Sequence, residues 1–167
     1  NTVVPFILPV EYESLEIIAV DLTFDNITRV ILVYRPPGLS FNIVQNQLLV
    51  NALIHLTSSC QRTLLLGDFN LPSIDWTNFS YSSIQSCNNL CEFLLNSGLH
   101  QVIDFPTRGR NILDIALVDD PLLISNVTNL CPISTSDHNC VFFNFHFGNL
   151  TNHNDDIVDK IYCFDRT

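Results

Sequence analysis

The sequence predicts a layered α/β sandwich of two mixed sheets with outer helices, and three observations carry that expectation. Short β-branched runs alternate with two helical periodicities early in the chain, and strands dominate later. Apolar residues make up 47% of the chain and charged residues 14%, against the usual quarter charged. That balance excludes a disordered or low-complexity chain, and 167 residues suffice for one sizeable core.

The elements follow in order. Leu15 to Leu22 and Arg29 to Tyr34 are rich in β-branched residues and read as two strands joined by a turn at Asp25-Asn26. Pro36-Pro37-Gly38 stops the second strand. A helix is expected from Phe41 to Thr57, with Val44, Leu48, Ala52, His55 and Leu56 facing inward and Gln45, Asn46 and Asn51 outward. Thr63 to Leu66 is a continuous apolar run, as in a strand covered on both faces, and it leads into Gly67-Asp68-Phe69-Asn70. A second helix fits Ser86 to Asn96, with Cys87, Leu90, Cys91 and Leu94 on one side and Gly98 as its stop. Further strands are expected at His100 to Asp104, Leu113 to Val118, Ile124 to Leu130 and Cys140 to Phe145. From Gly148 the chain turns polar, so residues 1–147 read as the folded unit and 148–167 as a linker.

Composition narrows the function classes. A net charge of −10 with seven Lys and Arg supplies no broad basic face for gripping phosphates. Aspartates gathered around a cation would account for part of that acidity. None of the six cysteines forms a C-x-x-C pair, and Cys87 and Cys91 have helical spacing, so reduced thiols packed as small hydrophobes are expected. N-x-S/T sequons occur at Asn26, Asn78, Asn126 and Asn149, as arises readily in a chain rich in these residues. No signal peptide is visible. The uncharged stretch between Arg35 and Arg62 is interrupted by Gln45, Asn46, Gln47, Asn51 and His55, which argues against a membrane span. The expected location is nuclear or cytoplasmic rather than secreted.

Four segments could carry chemistry. In Gly67-Asp68-Phe69-Asn70 a buried strand ends by delivering a carboxylate and an amide to one side, with Phe69 turned inward. A carboxylate can orient or deprotonate water, and an amide can donate to a phosphoryl oxygen; an Asx-type turn is the plainer reading. Ser136-Asp137-His138 precedes the last long strand, where a carboxylate for a cation and an imidazole for a phosphoryl group suit a loop. A solvated polar turn would look the same. Asp114 sits within an otherwise apolar strand and requires a partner, for which His138 is the candidate; the exposed end of an edge strand is the alternative. Tyr34-Arg35-Pro36-Pro37 offers a phenol and a guanidinium where a strand stops.

Taken together, YRPP after a strand, LLLGDFN after a helix, T-R-x-x-x-x-L-D-I-A at 107–116 and SDH before a strand resemble the endonuclease/exonuclease/phosphatase superfamily. Within it the chain is most similar to the apurinic-type endonuclease of non-LTR, LINE-like retrotransposons, over Leu15 to Phe145. The resemblance implies a DNase-like fold and hydrolysis of a DNA phosphodiester with Mg²⁺ or Mn²⁺, leaving a nick that primes reverse transcription. It implies that Asp68 activates water and helps hold the metal, Asn70 contacts the transition-state phosphate, and Asp137 binds the cation. His138 would act on the scissile phosphate, paired with Asp114, and Tyr34 would contact phosphate. Thr107 and Ser136 match hydroxyl positions of the family, and Arg108 beside Thr107 is a candidate substrate contact. The implied partners are DNA and a reverse-transcriptase region of the same polyprotein, toward which the tail IYCFD would lead. No segment before Tyr34 matches the family's Asn and metal-binding Glu, and Glu11, Glu13 and Glu16 are not assigned that role. An N-terminally truncated domain with impaired activity is therefore expected. A non-catalytic remnant of the same fold and a secreted acidic binding module are the competing readings.

Overall fold

The structure is a computed structural model describing residues 2–38, 42–82 and 87–147, together with the backbone of 159–161. Its strands are β1 (Thr2–Pro5), β2 (Glu16–Thr23), β3 (Ile27–Tyr34), β4 (Arg62–Asp68), β5 (Ile74–Asp75), β6 (Ser80–Tyr81), β7 (His100–Gln101), β8 (Asp114–Val118), β9 (Ile124–Leu130), β10 (Cys140–Phe145) and β11 (Asp159–Ile161). Two α-helices accompany them, α1 (Ile43–Ser58) and α2 (Asn88–Asn96).

Among these residues the main sheet is mixed and six-stranded, in the order β1-β2-β3-β4-β8-β7. The crossover through α1 makes β3 and β4 parallel, while the other neighbours run antiparallel. A second sheet, β11-β10-β9, is antiparallel throughout. The side-chain period of two sorts the central strands cleanly. Ile17, Ala19, Ile31, Val33, Leu65, Ile115 and Leu117 pack toward the helices. Leu64, Leu66, Ala116 and Val118 pack toward Val141, Phe143 and Phe145 of the second sheet. Helices, mixed sheet and second sheet are thus three layers with a core on each side of β4 and β8. Those two strands have both faces covered, as the apolar run of β4 predicts.

Gly67 shows how tightly the middle is built. A Cβ there would lie 1.8 Å from the Val33 carbonyl oxygen. Glycine is required at this position because the backbone of β3 occupies the space a side chain would need.

Several local expectations differ from what is found. Thr2–Pro5 forms an edge strand that the sequence pattern does not predict, and all its residues are exposed. With no buried face it has no alternation to betray it. The strand expected over His100 to Asp104 ends at Gln101. There the Gln101 side chain accepts from the backbone N–H groups of Val102, Ile103 and Ala116, so a side-chain oxygen takes the place of a strand carbonyl for Ala116. Helix α1 is rotated relative to its predicted face: Val44 is exposed, whereas Asn46 is fully buried beside Leu49, Val50, Leu53 and Leu56. Its start is set by Asn42 and Gln45, which form a reciprocal capping box. Helix α2 buries Leu90, Cys91 and Leu94 as its periodicity requires.

Cys60, Cys87, Cys91, Cys131 and Cys140 are free. Cys163, the sequon at Asn149 and the onset of the second helix at Ser86 lie outside the described residues, as does the linker expected over 148–167 apart from β11. No helix among the described residues is long and apolar enough to cross a membrane.

Candidate active site

Strand register assembles the first part of the site. Glu16 on β2 lies opposite Tyr34 on β3, Tyr34 opposite Asp68 on β4, and Asp68 opposite Asp114 on β8. Paired residues share a face, so these four form a polar row on the side of the mixed sheet that looks toward the second sheet. His138 comes from the connection between β9 and β10. That loop is held by Asn139, whose N–H donates to the Thr107 carbonyl at 2.7 Å. The His138 Nδ1 donates to Asp114 Oδ2 at 2.8 Å. Ligand-capable atoms of Asp68, Asp114 and His138 all lie within 4.8 Å of one another. They open into a cavity of about 670 Å³, whose lining also includes Tyr34, Asn70, Arg108, Ser136 and Asp137.

The electrostatics follow from that crowding. Burial pushes the Asp68 carboxyl above the usual carboxylate range, and the charge of Asp114 pushes it further. The N–H and amide of Asn70 and the imidazole of His138 oppose the shift. Asp114 is buried within β8, and its hydrogen bond to the imidazole gives it the partner that a carboxylate in an apolar strand requires. Since Nδ1 is engaged, Nε2 is the imidazole nitrogen left to meet a substrate.

The remaining candidate residues divide sharply. Tyr34 is half-buried and lines the cavity. Ser136 lines it too, and its hydroxyl accepts from the His138 N–H at 3.1 Å, bracing the loop. Asn70 lines the cavity as well. Its backbone has φ 47°, its amide nitrogen donates to Asp68 Oδ2 at 2.8 Å and to the Arg35 carbonyl at 3.0 Å, and its N–H donates to Asp68 Oδ1 at 2.9 Å. Both amide hydrogens thus point at protein oxygens, and through one of them and its N–H Asn70 orients Asp68. The Asx-type turn and the delivered carboxylate turn out to be one structure.

Thr107 requires a correction as a substrate contact. It is completely buried, and its hydroxyl accepts from the N–H groups of Leu113 and Asp114, both at 3.0 Å. It shapes the chain that enters β8 and does not face the cavity. Arg108 and Asp137 bind each other, with Nε and NH2 of the guanidinium at 2.8 and 2.7 Å from Asp137 Oδ2. Asp137 Oδ1 stands 4.0 Å from His138 Nε2. The structure therefore brings Asp137 to the rim and leaves it outside the cluster formed by Asp68, Asp114 and His138.

Two residues support the site from behind: Asn46, which no sequence argument assigned to it, and Arg35, whose guanidinium is expected at the end of a strand and proves to be buried there. Arg35 is buried and donates to the carbonyls of Phe69 and Asn70 and to the side chain of Asn46. Burial lowers its pKa, with Cys87, Cys91 and Asp68 opposing. The signal that could have found Asn46 is weak, because a polar residue on an amphipathic helix reads as solvent-facing.

The donor set fits a divalent cation. Burial and then the neighbouring Asp114 raise the Asp68 carboxyl, and a cation between the two carboxylates would relieve their repulsion. Carboxylate oxygens suit Mg²⁺ and Mn²⁺, and the imidazole is tolerated better by Mn²⁺.

Comparison with known proteins supplies the context. The family model described as endonuclease-reverse transcriptase matches residues 28–142. Among solved structures, the endonuclease domain of TRAS1, a telomere-specific non-LTR retrotransposon, is similar with a TM-score of 0.64 at 19% identity, covering 89% of this chain and 70% of that one. The 3′ phosphatase NExo from Neisseria, in a variant form bound to product DNA hairpin, is similar with a TM-score of 0.60 at 20% identity, covering 86% and 72%. Likenesses at such identities establish the DNase-like layered fold. No curated protein matches the chain significantly.

Proposed function

This chain belongs to the endonuclease-reverse transcriptase family, and from that premise we propose that it is a divalent-metal-dependent phosphodiesterase that nicks DNA for retrotransposition. The reading is carried by one observation, the His138–Asp114 pair set against Asp68 in the lining of one cavity. A retrotransposon endonuclease domain and a DNA 3′ phosphatase among the similar structures support DNA as the substrate.

In this reading Asp68 orients the attacking water and accepts its proton. The bonds from Asn70 to both of its oxygens fix its direction for that task. Asp114 holds the imidazole through Nδ1, so that Nε2 contacts the scissile phosphate and stabilises the charge that builds there. Tyr34, in register with Asp68, contributes a phenol to the same phosphate. Asp68 would hold Mg²⁺ or Mn²⁺ with Asp114 beside it, and Asp137 would join once it exchanges Arg108 for the ion. The cation would neutralise developing charge and make water more acidic. A net charge of −10 with seven Lys and Arg leaves little electrostatic attraction for duplex DNA, so binding should be weak and only shallowly salt-dependent.

The test is nicking of supercoiled plasmid by the purified chain with Mg²⁺ or Mn²⁺, with and without EDTA. Metal-dependent nicking that disappears in Asp68→Ala and His138→Ala supports the proposal. Absence of nicking with either metal, or nicking that survives both substitutions, removes it.

A further inference from the structure

Arg35 lies behind the cavity, at 5% exposure, and joins three segments that are distant in sequence. Its Nε donates to Asn46 Oδ1 at 2.9 Å, and one terminal nitrogen donates to the carbonyls of Phe69 and Asn70, each at 3.2 Å. Its backbone takes part as well. The Arg35 N–H donates to the Asp68 carbonyl at 2.8 Å, and the Arg35 carbonyl accepts from Asn70 Nδ2. On the far side Asn46 Nδ2 donates to the carbonyl of Asn42, the residue that caps α1.

Asn70 needs such support. A non-glycine residue at φ 47° is in a sparsely populated region, costing on the order of 1 kcal/mol or more, and persists where its surroundings over-determine it. That conformation lets Asn70 place its N–H and amide on the two oxygens of Asp68. We propose that Arg35 is a positioning residue for the candidate site, locking the turn at Asn70 and thereby aiming the Asp68 carboxylate. A guanidinium is suited to this because its planar fork reaches several fixed acceptors at once, which a lysine ammonium on a flexible stem does not reproduce.

The proposal rests on the phosphodiesterase reading for its kinetic arm alone; its structural arm stands whether or not the chain cleaves DNA. In Arg35→Lys, hydrogen exchange of the Asn70 amide should accelerate about fivefold or more relative to the parent, while Leu64 and Leu65 in β4 keep their protection. With Mn²⁺ and plasmid substrate, kcat should fall about ten- to a hundredfold with KM nearly unchanged, as for a misaimed group. Asn46→Ala, which removes one anchor of the fork, should change both quantities in the same direction by less, and carries the test should Arg35→Lys not fold. Unchanged Asn70 exchange overturns the inference. So does uniform loss of protection across β4 and α1, because Arg35 would then act on overall stability alone. A parent chain that does not nick, combined with selective loosening at Asn70, overturns the enzymatic reading and leaves the positioning role intact.

Discussion

Asp68 and Asp114 reach the candidate site on central strands paired residue against residue, whereas Arg108 and Asp137 reach it on two loops. The strand-borne pair is half-buried to buried, backed by cores on both sides and tied to Asn70 and His138. The loop-borne pair is exposed, with side chains 43% and 67% accessible, and its members hold each other. Buried polar groups must be satisfied and so are fixed in direction; exposed ones exchange partners with water and ions at small cost. A site built from both kinds has a rigid base where charge is forced together and a compliant rim where a cation or phosphate can displace an internal bond.

The largest expected effect probes the rigid half. Asp114→Asn should keep the strand and its packing but lose the anionic partner of His138 Nδ1. In a plasmid-nicking assay the rate should fall about 10²- to 10⁴-fold, the range of a general acid–base contribution. A rate close to the parent would mean that the pair is structural. Next comes Thr107→Val, which removes the acceptor of two buried N–H groups at the entrance of β8. Unfolding in urea should show a loss of about 2–3 kcal/mol, on the scale of unsatisfied buried donors. A neutral result would show that water reaches this turn.

The third expectation concerns pH. The folded-state pKa of Asp68 lies above its ordinary value, mainly through burial and then through Asp114. Protonated Asp68 is therefore favoured in the folded chain. Its stabilising contribution is complete below the unfolded pKa and is lost as pH rises through the folded one. Asp68→Asn, which cannot ionise, should gain in Tm relative to the parent as pH rises above the ordinary carboxylate range. The two should converge in acid. Convergence at neutral pH instead would show that the carboxylate is well solvated or already compensated.

What the sequence revealed and what it hid follow the same division. The strand covered on both faces was readable because Leu64 to Leu66 in β4 form an unbroken apolar run, and the Asp114–His138 pair was readable because a carboxylate in the otherwise apolar β8 demands a partner. Helix α2 showed its face for the same reason. Helix α1 misled, because Asn46 is polar yet buried, and its partner Arg35 lies on another element. β1 was silent, being an exposed edge. Thr107 carries a family-like hydroxyl, but only the fold reveals that it points at backbone N–H groups. The Arg108–Asp137 bond joins two loops whose conformations no periodicity describes.

That bond gives the smallest effect and the most direct check on the contrast. Arg108 is held in a short turn by a backbone bridge to Asn111, while Asp137 sits on the loop before β10. Exposed pairs in double-mutant cycles contribute about 0.2–1 kcal/mol, because each charge gives up good hydration to form the bond. A cycle of Arg108→Gln, Asp137→Asn and the double variant, read by urea unfolding, should give a coupling inside that range, and raising the salt concentration should shrink it. Mn²⁺ titration of Arg108→Gln should show tighter binding than the parent, since Asp137 no longer has an internal cation to leave. A coupling of about 3 kcal/mol or more, the scale of a broken buried pair, together with unchanged Mn²⁺ affinity, would make the rim as rigid as the strands and erase the distinction between the two halves.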